Sequence, residues 1–174
     1  MPTAANTSFD SMKFRGVIGC YPTGVAVITS AFDGSEVGIA VNSFTSVSLD
    51  PPLVAFCPQK TSGTWARIAK AGRFCVNILA DDQSDQCRRF AGVGGKRFEG
   101  LDYAYSDTGL PIIDGVIGWI ECTIHSVSDA GDHFIVVGLV QDLEHIRDAD
   151  PLVFFRGNYR QIDKILFDEA RQAG

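Results

Sequence analysis

The sequence predicts a mainly β chain folded as a closed antiparallel barrel with a few flanking helices. Three observations carry this. About seven or eight short, β-branched or alternating segments stand against two internal helical ones. Strand-like segments mostly follow one another, so few crossovers exist to build a doubly wound parallel sheet. The chain has 174 residues, 45% apolar and 21% charged, with no repeat, low-complexity tract or interdomain linker. That is one domain able to bury its own core without a disulfide or metal staple.

Each element follows from local chemistry. Residues 1–8 (MPTAANTS) are small and polar and read as a loose tail. Residues 8–21 suit a short helix in which Phe9, Met12, Phe14 and Val17 share a face. Gly24 to Thr29 is β-branched and compact, Asp33-Gly34 marks a turn, and Val37 to Ser43 reads as the return strand of a hairpin. Phe44 to Leu49 alternates and stops at Asp50-Pro51-Pro52, and Leu53 to Cys57 is a short buried strand ended by Pro58. Thr61 to Thr64 opens an amphipathic helix, Trp65 to Lys70, closed by Gly72, with Trp65, Ile68 and Ala69 as its core face. Phe74 to Leu79 is a strand. Asp81-Asp82 caps a helix running to Phe90, with Arg88 and Arg89 at its end, as the helix dipole favours. Ala91 to Gly100 is Gly-rich and basic and reads as a loop. Val116 to Ser128 and His133 to Leu143 are long strands around the turn Asp129–Asp132, with Trp119, Ile124 and Phe134 as core. Leu152 to Arg156 is the last strand. The domain spans 9–163, and 164–174 is a C-terminal tail in which a frayed helix is expected.

Charge and cysteine usage narrow the function. The net charge is −6 and the pI about 4.9, which argues against duplex nucleic acid and anionic membranes as partners. A local cluster of Lys and Arg remains able to hold one small phosphate ligand. The first residues show no secretory pattern, and no apolar stretch approaches the ~18 residues needed to span a bilayer. The five cysteines (Cys20, Cys57, Cys75, Cys87 and Cys122) are odd in number and form no C-x-x-C pair. They read as reduced thiols in a cytoplasmic protein. The three histidines are too dispersed for a metal site, so none is expected. There is no G-x-G-x-x-G, no P-loop and no G-x-S-x-G elbow.

Three segments look unlike pure core. Ala40 to Ser48 is rich in hydroxyls and carries an amide at a strand junction. It suits the edge of a flat heteroaromatic ring, or equally a bent strand whose hydroxyls satisfy their own backbone. Cys57 to Trp65 joins a strand end, Lys60 and three hydroxyls to a helix start. It reads as a phosphate cradle or as an ordinary N-cap with a solvated lysine. Gly131-Asp132-His133, between the longest strands, presents a ring nitrogen either to a cleft or to solvent.

The order and spacing of PTGVAVIT (22–29), AVNSFTSVSLDPPLV (40–54), CPQKTSGTW (57–65), GRFCVNIL (72–79), GDHFIVVG (131–138) and FFRGNY (154–159) resemble the flavin reductase-like family. Its members are short-chain NAD(P)H:flavin oxidoreductases serving two-component aromatic monooxygenases. The resemblance covers residues 9–163. It implies a split β-barrel of the FMN-binding, Greek-key antiparallel kind, and usually a homodimer. It implies hydride transfer from NADH (or NADPH) to FAD (or FMN), and diffusion of the reduced flavin to a separate oxygenase. By resemblance, Thr23, Gly24, Val41, Asn42, Ser43, Phe44, Thr45 and Ser46 border the isoalloxazine and ribityl chain. Cys57 and Pro58 adjoin them. Lys60, Ser62 and Thr64 hold phosphate, and Arg89, Phe90 and Ala91 face the flavin. His133 meets the nicotinamide as the catalytic residue, with Tyr159 near the same mouth. Gly63 departs from the larger residue that relatives often carry, and with loop 91–100 it leaves room for an adenylate.

Both reacting atoms would belong to cofactors, so a positioning surface suffices and no triad or metal is required. Small residues at Ala40, Ser43 and Gly131 suit close approach of flat rings. The competing readings are an FMN-binding split-barrel oxidase of the pyridoxamine-phosphate type and a non-catalytic flavin-binding module. An oligonucleotide-binding barrel is disfavoured by acidity.

Overall fold

The computed structural model describes residues 10–92, 94 and 96–162. Both expected tails, and Phe9 of the first helix, lie outside them. The elements are α1 (Ser11–Ile18), β1 (Thr23–Gly24), β2 (Ala26–Phe32), β3 (Ser35–Val41), β4 (Thr45–Leu49), β5 (Pro52–Phe56), α2 (Gly63–Ala71), β6 (Arg73–Ile78) and α3 (Ser84–Ala91). They continue with β7 (Tyr103–Tyr105), β8 (Pro111–Ile113), β9 (Gly118–Ala130), β10 (His133–His145), β11 (Val153–Phe155) and β12 (Asn158–Arg160). The main sheet runs β3-β2-β6-β9-β10-β5-β4, every pairing antiparallel. Its two edges, β3 and β4, are consecutive in the chain. Val41 and Thr45 can be no more than ~14 Å apart, so the sheet must curl until its edges converge. No ladder joins them among the described residues. The expected closed barrel is therefore open along one seam, at Asn42–Phe44: it is a split barrel.

β2 shows why the sequence reads as a continuous apolar run rather than an alternating one. Ala26 and Ile28 face the barrel interior with Phe56, Phe74, Val76 and Val136. Val25 and Val27 face outward, beneath Leu79, Cys87, Phe90 and Leu152. Both faces are covered, as a central strand requires. α2 fills the interior. Ser62 Oγ caps it by accepting from Trp65 N at 3.1 Å, and Gly72 ends it at φ +72°. Trp65 and Ile68 are buried, while Ala69 is exposed and not core. Phe56 meets Trp65 and Phe74 edge-on at 5.8 and 5.1 Å, each ring worth about 1.5–3 kcal/mol of burial.

Two findings concern helices. The apolar face of α1 is not covered among the described residues: Met12, Phe14, Val17 and Ile18 are exposed, Phe14 by 59%. α3 is not capped by Asp81-Asp82. Gln83 occupies the N-cap, without a side-chain bond to the helix start. Its buried amide instead accepts from Ala80 N and donates to Asp114 O, while Asp82 pairs with Arg147 at 2.8 Å. β7, β8 and β12 are additional to the sequence reading. The β7–β8 hairpin is tied to the sheet by Asn77, whose Oδ1 accepts from Ile113 N at 2.8 Å, and by Thr29 Oγ1, which donates to Pro111 O.

Candidate active site

The seam brings two of the three unusual segments together. Ser43 Oγ accepts from Cys57 N at 2.9 Å, joining the β3–β4 link to the end of β5. Asn42, Thr45 and Ser46 are exposed along this edge, and Thr45 Oγ1 donates to Ser46 O. Phe44 points the other way and packs on the interior core, so it offers the groove its backbone only.

The third segment arrives by strand pairing. β9 and β10 form a long hairpin turned by Gly131-Asp132, with Ala130 opposite His133. Gly131 is at φ +64°, a left-handed conformation that glycine adopts without cost. Phe134 N donates to the carbonyl of buried Pro58, Lys60 N donates to Asp132 O (both 3.0 Å), and Gln59 bridges His133. His133 therefore sits directly against the 57–60 loop. Its Nδ1 lies 2.8 Å from Asp132 Oδ1, which leaves Nε2 as the outward-facing nitrogen. That contact holds the Asp132 carboxyl below its ordinary range. Lys60 is already engaged: Nζ is 2.6 Å from Asp129 Oδ1 and 5.4 Å from the Phe134 ring centre.

The other wall is the end of α3. A cavity of about 170 Å³ is lined by Val25, Ala40, Val41, Asn42, Cys87, Ala91, Phe154 and Tyr159. It gathers Val41, Asn42, Ala91 and Tyr159 from the sequence reading and adds Cys87. The α3 face bearing Ala91 must also bear Cys87, four residues earlier, so periodicity was the available signal. Cys87 Sγ and Tyr159 Oη share a 3.1 Å hydrogen bond, and the Arg88 guanidinium lies over the Tyr159 ring. Burial, helped by Cys87, pushes the Tyr159 phenol up to about 12, so it keeps its proton at the mouth of the cavity. Thr23 and Gly24 lie alongside, paired with Phe154 and Val153, and Thr23 Oγ1 is enclosed without a hydrogen-bond partner among the described residues.

Phe90 departs from the sequence reading. Its side chain is 1% exposed and packs on Phe98 and against Gly38, so it supports the wall rather than facing a ligand. Arg89 is exposed and donates to Glu99 O at 2.9 Å. Thr64 Oγ1 accepts from Arg97 Nη1 at 3.1 Å. Arg97 belongs to no motif in the sequence; its one signal is a basic residue within a glycine-rich loop.

Small walls at Ala40 and Ala91, apolar sides at Val25, Val41 and Phe154, and the exposed Asn42 amide fit a flat ring with a polar edge. A larger cavity of about 610 Å³ lies elsewhere, between the β7–β8 hairpin and the β9–β10 strands. Among its lining residues are Asp102, Asp107, Asp114, Asp142 and Glu144. That acidity would repel phosphate-bearing molecules, and no candidate residue lines it. Among the described residues no group of three or more His, Cys, Asp or Glu is placed to hold a metal ion.

Residues 18–163 match the family model described as flavin reductase like domain. The chain is 51% identical over 154 residues to a flavin reductase of Pseudomonas putida, covering 88% of this chain and 91% of that one. It is 45% identical over 159 residues to the flavin-dependent monooxygenase reductase subunit HsaB of Rhodococcus jostii, covering 91% and 82%. An NADH:FAD oxidoreductase of Streptomyces globisporus, solved with NAD and FAD fragments, superposes with a TM-score of 0.85 at 33% identity, covering 90% and 94%. A barrel split at a hydroxyl-rich seam, matched this closely across most of its length, makes the chain a member of the flavin reductase-like domain family.

Proposed function

We infer that this chain is an NAD(P)H:flavin oxidoreductase that moves hydride from NADH to FAD or FMN and passes the reduced flavin to a separate oxygenase. The observation that carries this is the convergence of three sequence-distant segments on one seam. Ser43 meets Cys57, and Pro58 meets Phe134 beside His133. The redox chemistry belongs to the flavin and the nicotinamide when bound. The residues here bind and orient. Asn42, Ser43, Thr45 and Ser46 offer polar groups to the ring edge, with Val41, Ala91 and Tyr159 as its walls. Ser62 and Thr64 offer hydroxyls to phosphate, and Thr23, Gly24 and Cys57 complete the border. His133, steadied by Asp132, meets the nicotinamide. Asp129 and Asp132 beside it disfavour a 2′-phosphate, which supports NADH over NADPH.

The open seam supports release of the flavin to a partner oxygenase. The uncovered apolar face of α1, with Leu49 exposed by 93% on β4, supports a homodimer. Free thiols at all five cysteines support a cytoplasmic setting. No helix among the described residues is long and apolar enough to cross a membrane.

The test is spectrophotometric. Purified protein is mixed with NADH or NADPH and with FAD, FMN or riboflavin, and absorbance is followed at the reduced-nicotinamide band. Flavin-dependent loss of that band is expected. Flavin binding without nicotinamide oxidation would leave only a binding module.

A further inference from the structure

Two cations flank the hydroxyls at the start of α2, and their surroundings differ. Lys60 is drawn to the β9–β10 hairpin: Asp129 pairs with it, the Phe134 ring lies under it, and its backbone N–H is bonded to Asp132 O. Arg97 has no carboxylate partner among the described residues. Its Nη1 donates to Gly38 O and to Thr64 Oγ1, and its Nη2 donates to Gly92 O at 2.6 Å. All three acceptors are neutral. A partly buried charge held by neutral groups alone leaves a favourable place for an anion. Burial draws the guanidinium below its usual pKa, the same imbalance seen from the proton's side.

The space beside Arg97 suits that anion. A cavity of about 180 Å³ is lined by Arg89, Gly92, Gly94, Lys96 and Arg97. Of the three cations only Lys96 has a carboxylate partner among the described residues, Glu99 at 2.9 Å. In a chain of net charge −6 this is a local excess of positive charge. Gly92 follows Ala91, which lines the apolar cavity holding Asn42 and Tyr159. The end of α3 therefore borders both cavities: an apolar one for a ring, a cationic one for what the ring's side chain carries.

We propose that Arg97, supported by Arg89 and acting with the Thr64 hydroxyl, is the residue that selects phosphorylated flavin, and that Lys60 is not. This rests on the flavin-binding reading above. FMN and FAD share the chemistry and differ in whether one phosphate or two is offered.

The experiment measures dissociation constants of riboflavin, FMN and FAD by fluorescence quenching for the wild type, Arg97→Gln and Lys60→Gln. The wild type prefers FMN to riboflavin. Arg97→Gln weakens FMN by about tenfold, the scale of a charged hydrogen bond, with riboflavin within about twofold. Lys60→Gln keeps the FMN-to-riboflavin ratio within about threefold. An FAD loss exceeding the FMN loss assigns the contact to the second phosphate, and equal losses assign it to the first. The proposal is overturned if Lys60→Gln removes the preference or the wild type has none. It also fails if Arg97→Gln weakens riboflavin as much as FMN, the signature of a loop staple. Should Arg97→Gln not fold, Arg89→Gln is measured in the same way, since Arg89 is exposed and its side chain donates only to Glu99 O among described partners. A wild type that binds flavins with this selectivity yet oxidises no NADH would refute the reductase function alone.

Discussion

Gly38 is where the barrel touches the wall of the site, and replacing it with alanine tests that contact. A Cβ at Gly38 would lie 2.7 and 2.9 Å from Phe90 Cε1 and Cδ1, and 3.4 Å from Ile28 O. Carbon atoms pack at about 3.5–4.0 Å, so the Phe90 ring must retreat by nearly an ångström. It has nowhere to go: it is 1% exposed and held edge-on by Phe98 at 5.2 Å. Overpacking of this kind costs about 1–3 kcal/mol. Alanine in a strand regains roughly 0.5–1 kcal/mol of backbone entropy, so a net loss of about 1–2 kcal/mol is expected. For a domain of this length that lowers Tm by about 2–8 °C. The alternative relief, α3 moving off β3, would shift Ala91 and Gly92 and weaken flavin binding as well. Calorimetry of Gly38→Ala, Phe90→Leu and the double variant measures it. The smaller side chain should absorb part of the clash, so the double variant loses less than the sum of the singles. A Tm for Gly38→Ala within 1 °C of wild type, or strict additivity, would refute the contact.

Three further outcomes follow from buried groups and from the hairpin tip. Asn77→Ala strands the Ile113 N–H in the interior and removes the donor to the Thr29 hydroxyl, which keeps its bond to Pro111 O, at about 2–4 kcal/mol. Urea unfolding should show that loss, with amide exchange at Ile113 accelerating more than at Phe56. Alkaline pH should destabilise the protein. Burial pushes the Cys122 thiol up to about 12 and raises Cys75 in the same direction. Above pH 9 the unfolded chain releases protons that the folded one retains, so stability falls as pH rises, by about 1.4 kcal/mol per pH unit for each thiol. Cys122→Ala should show a shallower decline in urea midpoint between pH 8 and 10.5. His133→Asn should weaken NADH binding by roughly tenfold, the loss of one hydrogen bond to a charged or strongly polar group, with Asp132→Asn in between. An unchanged NADH affinity would remove His133 from the nicotinamide site.

What was legible in the sequence was local. Asp33-Gly34, Asp50-Pro51-Pro52 and Gly131-Asp132 marked real turns because each constrains φ at its own position. The long β9–β10 hairpin and α2 were readable from alternation and capping. Pairings among distant residues were not. Gln83 stands at the N-cap with its amide engaged by Ala80 and by Asp114, and Asp114 lies outside any local window around residue 83. The pairing of Lys60 with Asp129 is not readable locally, because Asp129 is remote in sequence and adjacent only once the hairpin folds back. The α1 face was correctly apolar, yet amphipathicity states that a face seeks cover, not that the same chain supplies it.

The split itself ties fold to site. With β3 and β4 as its edges, the sheet leaves rows of N–H and C=O groups without a ladder partner among the described residues, a feature proteins ordinarily hide. Closing the barrel would satisfy them and leave a sealed apolar interior already filled by Phe56, Phe74 and Trp65, with no place for a ligand. The residues at the junction work against closure. Ser43 spends its hydroxyl on Cys57 N, outside the β3–β4 seam, and Phe44 turns into the core, which drives the three-residue link across the gap rather than along it. The polar edge left over carries Asn42, which shares a cavity with Ala91 at the end of α3. A planar ring carrying both donors and acceptors, with a phosphate on its tail, is the kind of molecule that satisfies such an edge at one end and an uncompensated guanidinium at the other.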